Sequence, residues 1–174
     1  LAALPAMNLA SALATFVGQN IGARQLDRVR KGLKITGVYT IAIAILITGI
    51  AHVFSKPLIG VFTSDAEVIQ LGARYLLIVC TFYILFATMF TYTGLFRGAG
   101  DTLVPMFLTL CSLWLIRIPL ALYMSKHWGL EGIWWSLPVA WFFGATFSAI
   151  YYRLGYWKKR TVIKNVFIEN EEVL

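Results

Sequence analysis

Charge is scarce in this sequence, and acidic charge most of all. Only 13% of the 174 residues are charged, and eight residues are acidic, whereas about a quarter of the residues in a soluble domain are charged. No acidic residue lies inside the long apolar runs that make up most of the chain. These runs therefore contain no proton relay and no catalytic carboxylate.

Cysteine and histidine are rare as well. Cys80 and Cys111 both lie inside apolar runs, and His52 and His127 are far apart. This distribution excludes a disulfide framework and a metal-ligand spacing, and the sequence has neither an HExxH nor a GxSxG motif. We predict no catalytic residue, no metal site and no cofactor.

The sequence is instead rich in long hydrophobic runs, and 59% of its residues are hydrophobic. About 20 such residues span the roughly 30 Å hydrocarbon core of a bilayer as an α-helix. We predict an all-α polytopic membrane protein with about four full transmembrane helices after a partial first one. The five spans cover residues 1–17, 33–54, 68–95, 103–124 and 132–153, in a membrane domain over 1–155 that precedes a tail over 156–174.

The basic residues predict the orientation of these spans. Eleven of the fifteen lie after the first, third or fifth span, whereas Lys56, Arg74 and Lys126 lie on the opposite side. Positive charge stays in the cytoplasm, so we predict a multi-pass protein of the cell membrane with a cytoplasmic C-terminal tail. The net charge of +7 then reflects topology, and we expect no nucleic-acid partner. Because the chain begins inside an apolar helix without Met, we expect further chain upstream.

Polar residues form a stripe along the first span. Asn8, Ser11, Thr15 and Gln19 follow one another at spacings of three, four and four, which places them on one helical face. Such a stripe either hydrogen bonds to a neighbouring helix or lines a water-filled cavity. Both interpretations stay open, and we take Asn8, Ser11 and Thr15 as cavity candidates.

Phe86 and Met89 are cavity candidates in the third span, where Phe82, Tyr83 and Phe90 surround them. Aromatic rings attract cations and methionine adapts its shape, so these residues suit a bulky organic cation. The alternative is ordinary packing within the bundle and contact with lipid.

Arg117 is the only charge well inside a span. An arginine in the bilayer centre costs about 2.5–3.5 kcal/mol on insertion scales. Pro119 cannot donate to the carbonyl of Leu115, so we expect Arg117 to bind this carbonyl or a carboxylate inside the bundle. The alternative is a direct contact to a transported compound.

Three motifs resemble the multidrug and toxic-compound extrusion (MATE) family over about residues 1–160. They are Thr15–Ala23 (TFVGQNIGA), Leu95–Pro105 (LFRGAGDTLVP) and Trp114–Pro119 (WLIRIP). The resemblance implies that the five spans correspond to helices eight to twelve of a twelve-helix antiporter with two six-helix lobes. Such antiporters exchange organic compounds, often cations, for H⁺ or Na⁺ by alternating access.

The resemblance also implies roles for motif residues. It places eight of them in cytoplasmic loops, with Arg97 and Asp101 joined as an ion pair: Gly18, Gln19, Asn20, Gly22, Arg97, Gly98, Gly100 and Asp101. The implied partners are small organic substrates, the lipid bilayer and an N-terminal lobe of the same polypeptide.

The sequence departs from the family at one position. One branch carries an acidic cation ligand in the middle of helix ten, which falls near Phe86 here. We therefore expect the site for the coupling ion, H⁺ or Na⁺, in the N-terminal lobe.

Three rival functions remain at this point. A lipid-linked saccharide flippase of the same superfamily needs several cationic side chains in its cavity, and only Arg117 is available here. A membrane-embedded enzyme needs convergent His, Asp or Glu residues within the spans, and this sequence has none. A structural membrane subunit is disfavoured only mildly, by the polar stripe.

Overall fold

The computed structural model describes residues 2–159, and nearly all of them are helical. The predicted all-α fold is confirmed, and the remaining tail residues, 160–174, lie outside the described residues. The elements are α1 (Leu4–Gly22), α2 (Leu26–Gly60), α3 (Ala66–Thr81), α4 (Tyr83–Gly98), α5 (Leu103–Leu110), a π-helical segment (Cys111–Ile116), α6 (Arg117–Leu154) and α7 (Tyr156–Lys159).

Two helical stretches among the described residues are long and apolar enough to cross a membrane. They are Leu26–Gly60 and Leu103–Leu154, and the bent pair α3 and α4 gives a third if it counts as one span. At about 1.5 Å per residue, the 52 residues of Leu103–Leu154 far exceed one bilayer core. Gly129, with φ 59° and ψ −138°, interrupts this stretch and separates the predicted fourth and fifth spans.

The chain connections predicted to share one side of the membrane meet at one end of the bundle. The end of α1, the start of α2, the end of α4 and α7 form one buried cluster that includes Ile21, Val29, Leu95, Phe96 and Trp157. At the other end, Arg74 of α3 donates to Glu131 of α6 at 2.7 Å. The helices thus alternate in direction, and Trp157 of the predicted tail is part of the packed bundle.

The closest helix contact joins α1 to α4. Gly94 and Gly98 lie one helical turn apart on α4, and a Cβ at either position would overlap the backbone of Ala10 or Ala14. Small residues at this spacing let two helix backbones approach closely in a membrane. These two glycines are therefore part of α4, and they allow α1 to pack closely against it.

The third predicted span is bent where the sequence has neither proline nor glycine. The axes of α3 and α4 differ by 49°, with Phe82 between them at φ −99° and ψ 12°. Thr48 of α2 donates its hydroxyl to the carbonyl of Cys80 at 2.6 Å. A hydroxyl that enters the helical hydrogen-bond ladder is a recognised cause of such bends.

The π-helical segment lies just before Pro119. There the backbone N–H of Arg117 donates to the carbonyl of Ser112. Ser112 is fully buried, and its hydroxyl donates to the carbonyl of Ala140. The irregular turn is therefore fastened to the second half of α6.

We predict that Gly98→Ala lowers the free energy of unfolding by about 1–3 kcal/mol, the range for overpacking, because the added Cβ overlaps the backbone of Ala14. The control is Gly37→Ala in α2, where a Cβ meets no atom within 4 Å. Denaturation of the full-length polypeptide in detergent measures both. Equal stability of the two variants would contradict the close approach of α1 and α4.

Candidate functional site

α1 has a buried face and an exposed face. Its buried residues are Ala6, Ala10, Leu13, Val17, Asn20 and Ile21, which face the rest of the bundle. Asn8, Ser11 and Thr15 lie on the exposed face. The structure therefore keeps the stripe predicted from the spacing and turns it away from the described helices.

The stripe makes no side-chain hydrogen bond to another described helix. The hydroxyl of Thr15 donates to the carbonyl of Ser11 at 3.3 Å, within α1 itself. Asn8 and Ser11 have no side-chain partner among residues 2–159. Within the described bundle, the stripe therefore does not form the hydrogen bonds to a neighbouring helix that one interpretation requires.

Four motif residues expected in a loop lie inside α1, namely Gly18, Gln19, Asn20 and Gly22. The side-chain amide of Asn20 donates to the carbonyl of Phe16, one turn earlier in the same helix, at 2.8 Å. The loop placement implied by the resemblance is corrected for these four residues, because α1 continues to Gly22. Gln19 is exposed and continues the polar stripe.

α1 ends in a Schellman motif. The N–H of Gln25 donates to the carbonyl of Asn20 at 2.8 Å, and that of Arg24 donates to Ile21 at 2.9 Å. Arg24 has φ 56°, the left-handed position that this motif requires and that glycine usually fills. The motif satisfies carbonyl groups that the helix end leaves open.

α4 ends in the same motif, with glycine in the left-handed position. Gly100 has φ 86°, and the N–H of Asp101 donates to the carbonyl of Phe96 at 2.9 Å. Arg97 and Gly98 lie inside α4, so only Gly100 and Asp101 are in the loop. The loop expectation is corrected for Arg97 and Gly98.

The expected ion pair between Arg97 and Asp101 is absent from the structure. The carboxylate of Asp101 is 4% exposed and accepts a hydrogen bond from the hydroxyl of Tyr151 at 2.5 Å. The backbone N–H of Val104 donates to its other oxygen at 3.4 Å. Arg97 is exposed and has no ion pair or hydrogen bond from its side chain within residues 2–159.

Phe86 and Met89 lie in the interior of the bundle. Phe86 is half-buried, with ring centroids 4.5 Å from Phe90 and 5.2 Å from Trp141. Met89 is 2% exposed and packs where Gly144 and Ser112 leave room for its sulfur. Met89 is therefore a packing residue in this structure and leaves the set of cavity candidates.

Arg117 does not make the contact expected of it. Its side chain is half-buried, and the described residues offer it neither an ion pair nor a hydrogen bond. The π-helical turn adapts the backbone around Pro119 instead, because the N–H of Arg117 bonds to Ser112. Arg117 remains a candidate for contact with a transported compound.

Two further polar contacts between helices, like those already described, were not predicted from the sequence. Thr40 of α2 and Thr91 of α4 are buried, with their hydroxyl oxygens 3.0 Å apart. Because Thr91 donates to the carbonyl of Ala87, Thr40 is the donor between them. The hydroxyl of Tyr83 accepts from the N–H of Ala6 at 3.2 Å. An isolated threonine or tyrosine in an apolar span does not indicate which residue of another helix it will contact.

Nothing in the described part of the chain forms a metal centre, because no three His, Cys, Asp or Glu residues come together there. The acidic residues within 2–159 are Asp27, Asp65, Glu67, Asp101 and Glu131. The first four lie near helix ends, and Glu131, beside the break at Gly129 in α6, is engaged by Arg74. The exposed polar face of α1 is therefore the candidate site.

The chain is similar to one family of known proteins. The MatE family model matches residues 1–123. The chain is 31% identical over 166 residues to a probable multidrug resistance protein NorM of Thermotoga maritima, a match that covers 92% of this chain and 35% of that protein. It is also 31% identical to the probable multidrug resistance protein YpnP of Bacillus subtilis, over 89% of this chain and 35% of that protein.

Solved structures share the fold. A mutant of the Vibrio cholerae MATE transporter VcmN matches with a TM-score of 0.83 and 19% identity, over 96% of this chain and 37% of that one. An inward-facing multidrug resistance MATE family transporter of the MOP superfamily matches with a TM-score of 0.80 and 18% identity. This match covers 92% of this chain and 38% of that one. The chain thus spans little more than a third of the length of these relatives.

We predict that Tyr151→Phe destabilises the protein by about 1–3 kcal/mol, because the buried carboxylate of Asp101 then lacks its hydroxyl donor. The matched control is Tyr39→Phe, which removes a hydroxyl from a tyrosine that is 58% exposed. Urea or thermal unfolding of the full-length polypeptide in detergent measures both variants. A stability loss no larger than that of Tyr39→Phe would show that the contact to Asp101 contributes little.

Proposed function

The chain belongs to the MatE family, and from that membership we propose that it forms most of one lobe of a secondary transporter. In this proposal the transporter exports organic compounds, often cations, in exchange for H⁺ or Na⁺. The lobe works with an N-terminal lobe of the same polypeptide, by alternating access. The C-terminal end of the chain lies in the cytoplasm.

The exposed polar face of α1 carries this proposal. In a bilayer, an outward polar face on a helix must meet water or another polar surface, because hydrocarbon offers it no hydrogen bonds. Asn8, Ser11 and Thr15 lie on such a face, and the opposite face is buried against the bundle. We assign this face to the wall of a water-filled pathway between two lobes.

The coupling ion in this proposal binds outside the chain. The position where one branch of the family has a carboxylate falls near Phe86, whose ring centroid lies within 6 Å of those of Tyr83, Phe90 and Trp141. This cluster contains no carboxylate, and its single hydroxyl, that of Tyr83, accepts a hydrogen bond from the N–H of Ala6. We therefore place the coupling carboxylate in the N-terminal lobe.

The rival functions have less support. A saccharide flippase needs several cations on the pathway wall, and the exposed face of α1 carries only neutral polar groups at Asn8, Ser11 and Thr15. A membrane-embedded enzyme needs a cluster of titratable side chains, and residues 2–159 bring no three His, Cys, Asp or Glu residues together. A structural subunit has no need of a polar face turned away from its own helices.

We predict that the triple change Asn8→Ala, Ser11→Ala and Thr15→Ala slows transport about tenfold, since each lost hydrogen bond is worth about 0.5–1.5 kcal/mol. The full-length polypeptide is reconstituted in proteoliposomes, and an imposed H⁺ or Na⁺ gradient drives a fluorescent cationic dye. Thr81→Ala is the control, because Thr81 is exposed on another helix and bonds only to its own backbone. Normal transport by the triple variant would remove α1 from the pathway wall.

We predict that the combined change Asp27→Asn and Glu131→Gln leaves the ion dependence of transport unchanged. Asp27 lies near the start of α2 and Glu131 lies beside the break at Gly129 in α6, so neither is on the exposed face of α1. The same dye assay, run over a range of pH and Na⁺ concentration, measures this dependence. A shift in the half-maximal H⁺ or Na⁺ concentration would place part of the ion site in this chain.

A further inference from the structure

A groove runs between α4 and α5 and has no role in the proposed pathway. Its volume is about 370 Å³, within the range of roughly 300–1,000 Å³ typical of ligand sites. Six of its lining residues face one another across the groove, namely Phe90, Thr93 and Arg97 on α4, Met106 and Thr109 on α5, and Thr102 at the N-cap of α5.

The polarity of the groove changes along its length. Arg97 and Thr102 lie at the end next to the α4–α5 loop, where Arg97 is exposed. Phe90 lies two turns deeper on α4, and Met106 lies one turn deeper on α5. The hydroxyls of Thr93 and Thr109, which also line the groove, donate to the carbonyls of Met89 and Pro105 in their own helices. The groove therefore has a cationic mouth and a floor whose hydroxyls are already hydrogen-bonded, the pattern that fits an anionic amphiphile.

The charge at the mouth is not neutralised by the described residues. The nearest carboxylate along the chain, Asp101, is turned into the bundle and bonded to Tyr151. Arg97 has no ion pair within residues 2–159, and the hydroxyl of Thr102 makes no capping bond to α5. A guanidinium with free donors is well suited to a phosphate, which it binds through two parallel hydrogen bonds.

We propose that this groove binds an anionic phospholipid of the cytoplasmic leaflet. The phosphate is held by Arg97 and Thr102, and the upper part of an acyl chain lies along Met106 and Phe90. Anionic lipids are attracted to basic side chains at the cytoplasmic surface, where the proposed orientation places the α4–α5 loop. The proposal uses this orientation and does not depend on transport activity.

The test is lipid binding by the full-length polypeptide in detergent, measured by native mass spectrometry with phosphatidylglycerol and phosphatidylcholine. We expect about tenfold tighter binding of phosphatidylglycerol, because its headgroup is a net anion, whereas the choline of phosphatidylcholine offsets the charge of the same phosphate. Arg97→Gln should abolish this preference. Arg28→Gln, which removes an exposed charge at the same end of the bundle but outside the groove, should keep it.

A second variant separates the groove from general charge. Met106→Trp keeps the guanidinium and fills the floor of the groove, so it should also lose the preference for phosphatidylglycerol. Equal losses in Arg97→Gln and Arg28→Gln would overturn the proposal in favour of diffuse attraction. Retained preference in Met106→Trp would overturn it too. So would a photocrosslinker at Met106 that captured another segment of the same polypeptide and no lipid.

Discussion

The arrangement of the bundle depends on how closely α1 approaches α4. Lipid chains are as apolar as leucine, so helices in a bilayer associate through close packing rather than through the hydrophobic effect. Because Gly94 and Gly98 have no side chain, the backbone of α1 at Ala10 and Ala14 lies in direct contact with α4. This contact fixes the rotation of α1 about its axis. Once Leu13 is buried, the opposite face, with Ser11, can only point outward.

The irregular parts of the helices supply hydrogen-bond partners to backbone groups that the regular helical pattern leaves open. Thr48 supplies a hydroxyl to the carbonyl of Cys80 at the bend between α3 and α4. The Schellman motifs at Arg24 and Gly100 satisfy the carbonyls at the ends of α1 and α4. No buried side-chain nitrogen or oxygen among the described residues lacks a partner. Polar side chains of the described bundle are thus either hydrogen-bonded in its interior or exposed on its surface.

The sequence predicted what depends on local pattern. The length of the apolar runs predicted the helices, and the spacing of Asn8, Ser11 and Thr15 predicted the polar face of α1. It did not predict features set by distant residues. The bend at Phe82 needs a hydroxyl from another helix, and the ion pair expected between neighbours Arg97 and Asp101 lost to Tyr151, 50 residues away. The role of a glycine also depends on distant residues. Gly98 lies in a helix where α1 packs against it, whereas Gly100 lies in the turn that follows.

The most direct test of this account asks whether the exposed face of α1 meets water. In the full-length polypeptide, Cys80 and Cys111 are replaced by Ala, and single cysteines are placed at Ser11 on the stripe and at Ile45, an exposed apolar position of α2. A charged methanethiosulfonate reagent is applied to membranes, where it modifies only thiols in contact with water. The account predicts rapid modification at position 11 and little at position 45. Equal protection of both would contradict it, since the stripe would then face lipid or a packed helix.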